Sequence, residues 1–222
     1  MSEINLKELD FNDGDYFTVT IFGARRSGKS TLLKYIIQKY NLTAKYDNYL
    51  IISENDDVLN TMKEIIPADK KDFVNGYNDE LINNLMATSD LLRKKGIHKT
   101  FLLIVDDVSS LQVKTGALRK IYMQSRHFKC SSFFLTQQIT ACGTTARSNS
   151  DYAIFGRTGS SYEDEMIYRH YLMGKKDVLG DEKHFCMNLI KKYTEDYSFL
   201  VIDSFQKKNN FYDRVKFIKA KI

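Results

Sequence analysis

The hydrophobic residues of this chain fall mainly into short continuous runs rather than into alternating patterns. Continuous apolar character of this kind is typical of parallel strands that are covered on both faces. The six predicted strands span residues 17–22, 49–52, 101–105, 132–135, 152–155 and 199–202. These runs predict a mostly parallel central sheet.

Helical periodicity appears between the predicted strands. Apolar residues recur at intervals of three and four in segments 32–40, 81–93, 118–126 and 163–173. The alternation of strand and helix predicts an α/β fold with helices on both faces of the sheet and ligand loops at the carboxyl ends of the strands. The chain has 222 residues and one proline, so we expect a single domain, 1–222, that includes the basic C-terminal segment 207–222.

A complete phosphate-binding loop follows the first predicted strand. Gly23 and Gly28 allow backbone angles that are closed to other residues, so successive N–H groups can point at a β-phosphate from the positive end of the next helix. We expect Lys29 to reach the β- and γ-phosphates and Ser30 to ligate magnesium. The residues predicted to bind the nucleotide are Gly23, Ala24, Arg25, Arg26, Ser27, Gly28, Lys29, Ser30 and Thr31.

Two carboxylates follow the buried strand 101–105, in the form of a Walker B motif. Asp106 is the predicted magnesium partner, direct or outer-sphere, and Asp107 is the predicted base that orients the attacking water. One more strand is expected between this strand and the P-loop strand, as in the ASCE branch of P-loop NTPases. That branch more often has glutamate, which is longer by a methylene than Asp107. An acidic turn that caps the strand is the alternative interpretation.

The next predicted strand ends in a pair of glutamines. A neutral amide can donate to phosphate and accept from water without changing the charge of the site. Polar strand ends are common, so the signal comes from its position after the two Walker motifs. Gln137 is therefore the predicted sensor of the γ-phosphate or of the attacking water.

Taken in order, the motifs resemble those of the genome-packaging ATPases of large eukaryotic DNA viruses and virophages, of the poxvirus type, in the FtsK/HerA superfamily. The resemblance covers about residues 17–155 and rests on five segments: GARRSGKS, LLIVDD, SRH, FFLTQ and ARSNSD. It implies ATP-driven translocation of double-stranded DNA, with Mg²⁺ as cofactor, by a homo-oligomeric ring (a pentamer or hexamer) that works at a viral capsid or portal vertex. The C-terminal third carries no matching motif.

The resemblance also implies an arginine that completes the site of a neighbouring subunit. By position in the family pattern we favour Arg147, with Arg126 second, while Arg119 and Arg157 stay open. For each of them a surface or packing role is at least as well supported. Lys114, in the loop after the Walker B motif, is a candidate for contact with DNA on the same analogy, and a solvated loop is its alternative.

Charge and hydropathy limit the kinds of partner and the locations that we expect for this protein. A net charge of +5 and a pI near 8.9 permit a polyanionic partner without demanding one. The apolar runs are too short to span a bilayer and no signal peptide is seen, so we expect no membrane insertion and no secretion. The expected location is the host cytoplasm, a viral factory or the virion.

Two other functions fit part of the pattern. A small P-loop nucleoside or nucleotide kinase fits the length and could use residues 156–169 as a lid, but the aspartate pair and Gln137 are then unexplained. A GTPase is less favoured, because no glycine follows the aspartates and no Asn-Lys-x-Asp motif occurs. A nucleotide-gated assembly factor with little turnover stays open because Asp107 stands where glutamate is usual.

Overall fold

The strands of this protein form one mixed sheet. The computed structural model describes residues 6–9, 16–67, 69, 71–107, 116–140, 143–173, 182–204 and 211–221. The strands in this part of the chain are β1 (Lys7–Glu8), β2 (Thr18–Phe22), β3 (Asn48–Ile52), β4 (Lys71–Val74), β5 (Phe101–Val105), β6 (Cys130–Thr136), β7 (Tyr152–Phe155), β8 (Ser198–Asp203) and β9 (Val215–Lys219). All six predicted strands are present, with bounds that differ by two residues or fewer.

The helices lie between these strands. They are α1 (Lys29–Lys39), α2 (Leu42–Lys45), α3 (Asp56–Ile65), α4 (Asp79–Lys94), α5 (Ala117–Gln124), α6 (Gly143–Asn149), α7 (Ser161–Ile167), α8 (Glu182–Tyr193) and α9 (Phe211–Arg214). A π-helical turn, Tyr168–Leu172, continues α7. The predicted helix 163–173 therefore covers two kinds of helix, while α2, α3, α6, α8 and α9 were not predicted.

The sheet has the strand order β1-β9-β8-β7-β2-β6-β5-β3-β4. Each described neighbouring pair is parallel except β7 with β8 and β8 with β9, so β8 alone runs against the rest. One strand, β6, lies between β2 and β5, as predicted. The mostly parallel α/β fold of the ASCE branch is thus confirmed.

The core has two layers because alternate residues of a buried strand point to opposite faces. Phe22 and Val105 belong to one apolar cluster, which also contains buried residues of α4, α5 and α8. Ile21 and Ile104 belong to the other, together with buried residues of α1 and α3. Helices therefore cover both faces, and the loops of the site lie at the carboxyl edge of the parallel strands.

The basic C-terminal segment contributes an unpredicted strand. Its described part, 211–221, contains α9 and β9, and β9 pairs with β8 and β1. Lys216 in β9 forms an ion pair of 2.6 Å with the buried Asp203 of β8. At least this lysine of the basic cluster therefore stabilises the sheet rather than facing a polyanion.

Candidate active site

The P-loop is anchored to both strands that flank β2. The amide of Gly23 donates to the carbonyl of Thr136 at 3.3 Å, and the amide of Ala24 donates to the carbonyl of Arg157 at 2.8 Å. Thr136 ends β6, and Arg157 follows β7. The loop is therefore held in position by the sheet before any ligand binds.

The loop ends at the N-terminus of α1, where no side chain caps the positive end of the helix dipole. Gly28 is the N-cap and has a φ of 87°, in the left-handed region that favours glycine. Its cap position carries no side-chain hydrogen bond, and no acidic residue lies in the first turn, which contains Ser30 and Thr31. The positive end of the helix is therefore not neutralised by this helix's own side chains and suits an anionic phosphate.

Lys29 lies between the P-loop and the Walker B carboxylates. Its Nζ donates to the carbonyls of Gly23 at 2.8 Å and Ala24 at 3.1 Å. Burial lowers the pKa of Lys29, and the negative charges of Asp106 and Asp107 oppose that effect. The ammonium is thus within electrostatic reach of both carboxylates. Its contact with the β- and γ-phosphates stays a prediction.

Asp106 follows β5 and is held by a serine that sequence reasoning missed. Ser53 follows β3, and its hydroxyl donates to Oδ2 of Asp106 at 3.0 Å. Burial is the largest cause that raises the pKa of Asp106, and the hydrogen bond from Ser53 acts in the opposite direction. A polar residue directly after the predicted strand 49–52 was the available signal, because β3 pairs with β5.

Asp107 and Gln137 come together at the carboxyl ends of β5 and β6. The Nε2 of Gln137 donates to Oδ1 of Asp107 at 3.1 Å, and both residues are exposed. Asp107 has a φ of 58°, a left-handed conformation that aspartate adopts more readily than most residues other than glycine. The two polar strand ends therefore form one unit that faces solvent beside Lys29.

The oxygen donors at this edge suit magnesium. Hydroxyl and carboxylate oxygens such as those of Ser30 and Asp106 are ligands that Mg²⁺ prefers, and in P-loop sites the phosphates supply others. Among the described residues no three His, Cys, Asp or Glu side chains are grouped as a metal site of their own. The residues thus fit a metal that is held jointly with the nucleotide.

The two favoured arginines lie in the segments that lead into β6 and β7. Arg126 follows α5 near the start of β6, at the opposite edge of the sheet, with its Nη2 3.5 Å from Asp151. Arg147 lies in the last turn of α6, where it donates to Thr144 at 3.3 Å. Their role in a neighbouring site stays a prediction. Arg119 is exposed on α5, and Lys114 lies outside the described residues.

The fold and this arrangement of a P-loop, Walker B acids and a strand-end glutamine define a P-loop nucleoside triphosphatase of the ASCE branch. Comparison with protein families then identifies the group. The chain belongs to the poxvirus A32 protein family, which matches residues 7–214. The predicted resemblance to viral genome-packaging ATPases is confirmed, and the protein is an ATP hydrolase of that type. No curated protein sequence matches this chain.

Solved structures share this fold. The genome-packaging NTPase B204 of Sulfolobus turreted icosahedral virus 2, in complex with ATP-γ-S, has a TM-score of 0.64 at 19% identity and covers 93% of this chain and 98% of its own. The cytoplasmic domain of the type VII secretion ATPase EccC of Thermomonospora curvata has a TM-score of 0.62 at 14% identity, covering 91% of this chain and 25% of its own. EssC of Geobacillus thermodenitrificans (ATPases 2 and 3) has a TM-score of 0.56 at 10% identity, and the match covers 84% of this chain and 37% of its own.

Proposed function

We propose that this protein hydrolyses ATP to move double-stranded DNA into a viral capsid, working as a homo-oligomeric ring. The observation that carries the hydrolysis is the hydrogen bond between Asp107 and Gln137 beside Lys29. A base and an amide in this position serve water activation, which a nucleoside kinase does not need. The resemblance to B204, described as a DNA-packaging ATPase, supports the choice of DNA.

The P-loop side of the site binds and polarises the triphosphate. The amides of residues 23–31 surround the β-phosphate, and Lys29 places its charge between the β- and γ-phosphates. Ser30 and Asp106 would hold Mg²⁺, and Ser53 fixes the carboxylate of Asp106 through its hydrogen bond. The metal, when bound, neutralises the charge that develops on the phosphates.

The opposite side of the site activates water. Asp107 accepts a proton from the water that attacks the γ-phosphorus, and the bond to the β–γ bridging oxygen breaks. Gln137 donates to Asp107 and so restricts the direction in which the carboxylate faces. An arginine from a neighbouring subunit, Arg147 or else Arg126, would stabilise the transferring phosphoryl group.

The partners and location are part of the same proposal. A ring of identical subunits, pentameric or hexameric, acts at the capsid or portal vertex, in the host cytoplasm or a viral factory. Within the described ranges no helix is long and apolar enough to cross a membrane. We also propose that residues 1–222 act as a single ATPase domain.

The test is ATP turnover with and without long double-stranded DNA. We expect DNA to accelerate turnover, Lys29→Ala to abolish it, and Asp107→Asn to lower kcat by about 10²- to 10⁴-fold because the base is lost. ATP affinity should change little in Asp107→Asn. Gln137→Ala should lower kcat, whereas Gln138→Ala, which removes the neighbouring exposed amide, serves as its matched control.

Several outcomes would contradict the proposal. Normal turnover in Asp107→Asn would remove the assigned base and favour another acid. Wild-type ATP binding with turnover no faster than that of Lys29→Ala would favour the assembly-factor interpretation. Wild-type turnover that ignores DNA, together with no salt-sensitive DNA binding by the assembled protein, would remove the substrate. Transfer of phosphate to a nucleoside would favour the kinase.

A further inference from the structure

A second cleft, of about 430 Å³, lies directly beside the P-loop. One wall contains Arg26 and Ser27 of the P-loop and Arg157 after β7. The other wall is the turn 194–197 that precedes β8. The cleft therefore lies on the β7 and β8 side of β2, whereas the catalytic carboxylates lie on its β6 and β5 side.

The reversed direction of β8 brings this turn to the active-site edge. Because β8 is antiparallel to β7, its first residues lie at the edge where the parallel strands end. Asp196 and Tyr197 have φ angles of 49° and 57°, so two successive non-glycine residues are left-handed. Such strain persists where surrounding structure holds it, and it is concentrated at functional sites. Two backbone hydrogen bonds hold this turn. The amide of Ser198 donates to the carbonyl of Glu195 at 2.8 Å, and the amide of Ala220 donates to the carbonyl of Tyr197 at 3.0 Å.

The turn places the ring of Tyr197 against the P-loop backbone. A Cβ added at Gly28 would lie 2.8 Å from Cδ1 and 3.1 Å from Cε1 of this ring. Tyr197 is nevertheless 45% exposed, so part of its surface faces solvent. An aromatic ring that packs against the P-loop and keeps an exposed surface is suited to stacking on a planar ligand.

The positions of the carboxylates and of the cleft indicate which way the nucleotide lies across the P-loop. The γ-phosphate lies at the carboxylates, towards β5, because Asp107 and Gln137 must reach the attacking water. The nucleoside, attached at the other end of the triphosphate, must then extend towards β7 and β8. Glu195 and Asp196 add two exposed carboxylates at the cleft, which balance the charges of Arg26 and Arg157 and can accept hydrogen bonds from ribose hydroxyls.

We propose that this cleft binds the nucleoside half of the nucleotide and that Tyr197 stacks on its base. This inference rests on the proposed use of the P-loop for ATP, and it is independent of DNA. Stacking on an aromatic ring strengthens binding by about 10- to 100-fold for each base, and because every base has a π-face the contact discriminates weakly among bases. Arg26 and Arg157 form the facing wall.

The test compares ATP with tripolyphosphate, which has the phosphates but no base. We expect Tyr197→Leu to weaken ATP binding about 10- to 100-fold and to leave tripolyphosphate binding unchanged. Tyr197→Phe keeps the ring and should bind ATP like the wild type. Tyr162→Leu, at a tyrosine that is 64% exposed, is the matched control. Dissociation constants are measured by calorimetry, with Mg²⁺ present throughout.

Several results would overturn the inference. An equal loss for ATP and tripolyphosphate would show that the ring supports the P-loop instead of contacting the base, and unchanged ATP affinity would show that the base lies elsewhere. If Tyr197→Leu fails to fold, photolabelling of the wild type with 8-azido-ATP decides: label that lies outside the cleft residues 26–27, 157 and 194–197 refutes the site. Loss of the DNA response alone would count against the motor and not against this cleft.

Discussion

Replacement of Gly28 by alanine tests how the P-loop and the C-terminal strands are joined. Gly28 has a φ of 87°, and an added Cβ would lie 2.8 Å from the ring of Tyr197. Gly76 supplies the matched control, because its φ is 85° and nothing lies within 4 Å of its added Cβ. Both substitutions impose the same left-handed conformation on alanine, and only the first also creates a collision.

The magnitudes of the two effects differ enough to be measured. A left-handed L-residue costs about 1–2 kcal/mol, which is the expected loss for Gly76→Ala. Overpacking adds about 1–3 kcal/mol, so Gly28→Ala should lose about 2–5 kcal/mol of unfolding free energy. The gain from a stiffer unfolded chain is similar at both positions and cancels in the comparison. Cδ1 lies near the base of the ring, so the side chain cannot relieve the contact by moving its far end alone.

Urea unfolding of the nucleotide-free protein measures both losses by linear extrapolation. In the background of Tyr197→Ala, the excess loss of Gly28→Ala over Gly76→Ala should disappear, because the colliding atoms are gone. Equal losses for the two glycines in the wild-type background would refute the contact. An excess that survives the removal of the ring would assign it to the P-loop backbone instead.

Two further predictions concern the catalytic groups. Ser53→Ala removes the hydrogen bond that holds Asp106. We therefore expect the Mg²⁺ concentration needed for half-maximal turnover to rise about 10- to 100-fold, while kcat at saturating Mg²⁺ is nearly unchanged. An unchanged Mg²⁺ titration would contradict this role. If Arg147 acts in trans, a mixture of inactive Arg147→Ala and inactive Lys29→Ala subunits should regain turnover, because one subunit supplies the lysine and its neighbour the arginine. A mixture as inactive as its components would show that Arg147 does not act in this way.

The central strands could be predicted because their environment is uniform. Strands such as β2 and β5 are buried along their whole length, and continuous apolar runs result. Of the edge strands, β1 is exposed and β4 is only partly buried, so their sequences, Lys-Glu and Lys-Asp-Phe-Val, carry no such run. In β9, Lys216 and Lys219 interrupt the apolar residues, and the segment therefore resembled a basic surface patch.

The residues of the site likewise fall into two groups, those that the sequence could predict and those that it could not. Gly28, Lys29 and Asp107 lie in local motifs whose spacing alone indicates their chemistry. Ser53 and Tyr197 depend on tertiary structure: one on the pairing of β3 with β5, the other on a left-handed turn and the reversal of β8. No local pattern marks a tyrosine as part of a P-loop site when well over a hundred residues separate them.

The pairing of β1 with β9 sets an order of events during synthesis. Lys7 pairs with Lys216 and Glu8 with Phe217, so β1 leaves the ribosome long before its partner exists. At about 5–20 residues per second this interval is on the order of 10–40 s. The strands around β2, up to β7, become available well within it, whereas β8 and β9 emerge last. The nascent chain therefore has its P-loop and Walker B strands before it can place Tyr197 beside the P-loop, and closing the β1 edge is the final step of building the sheet.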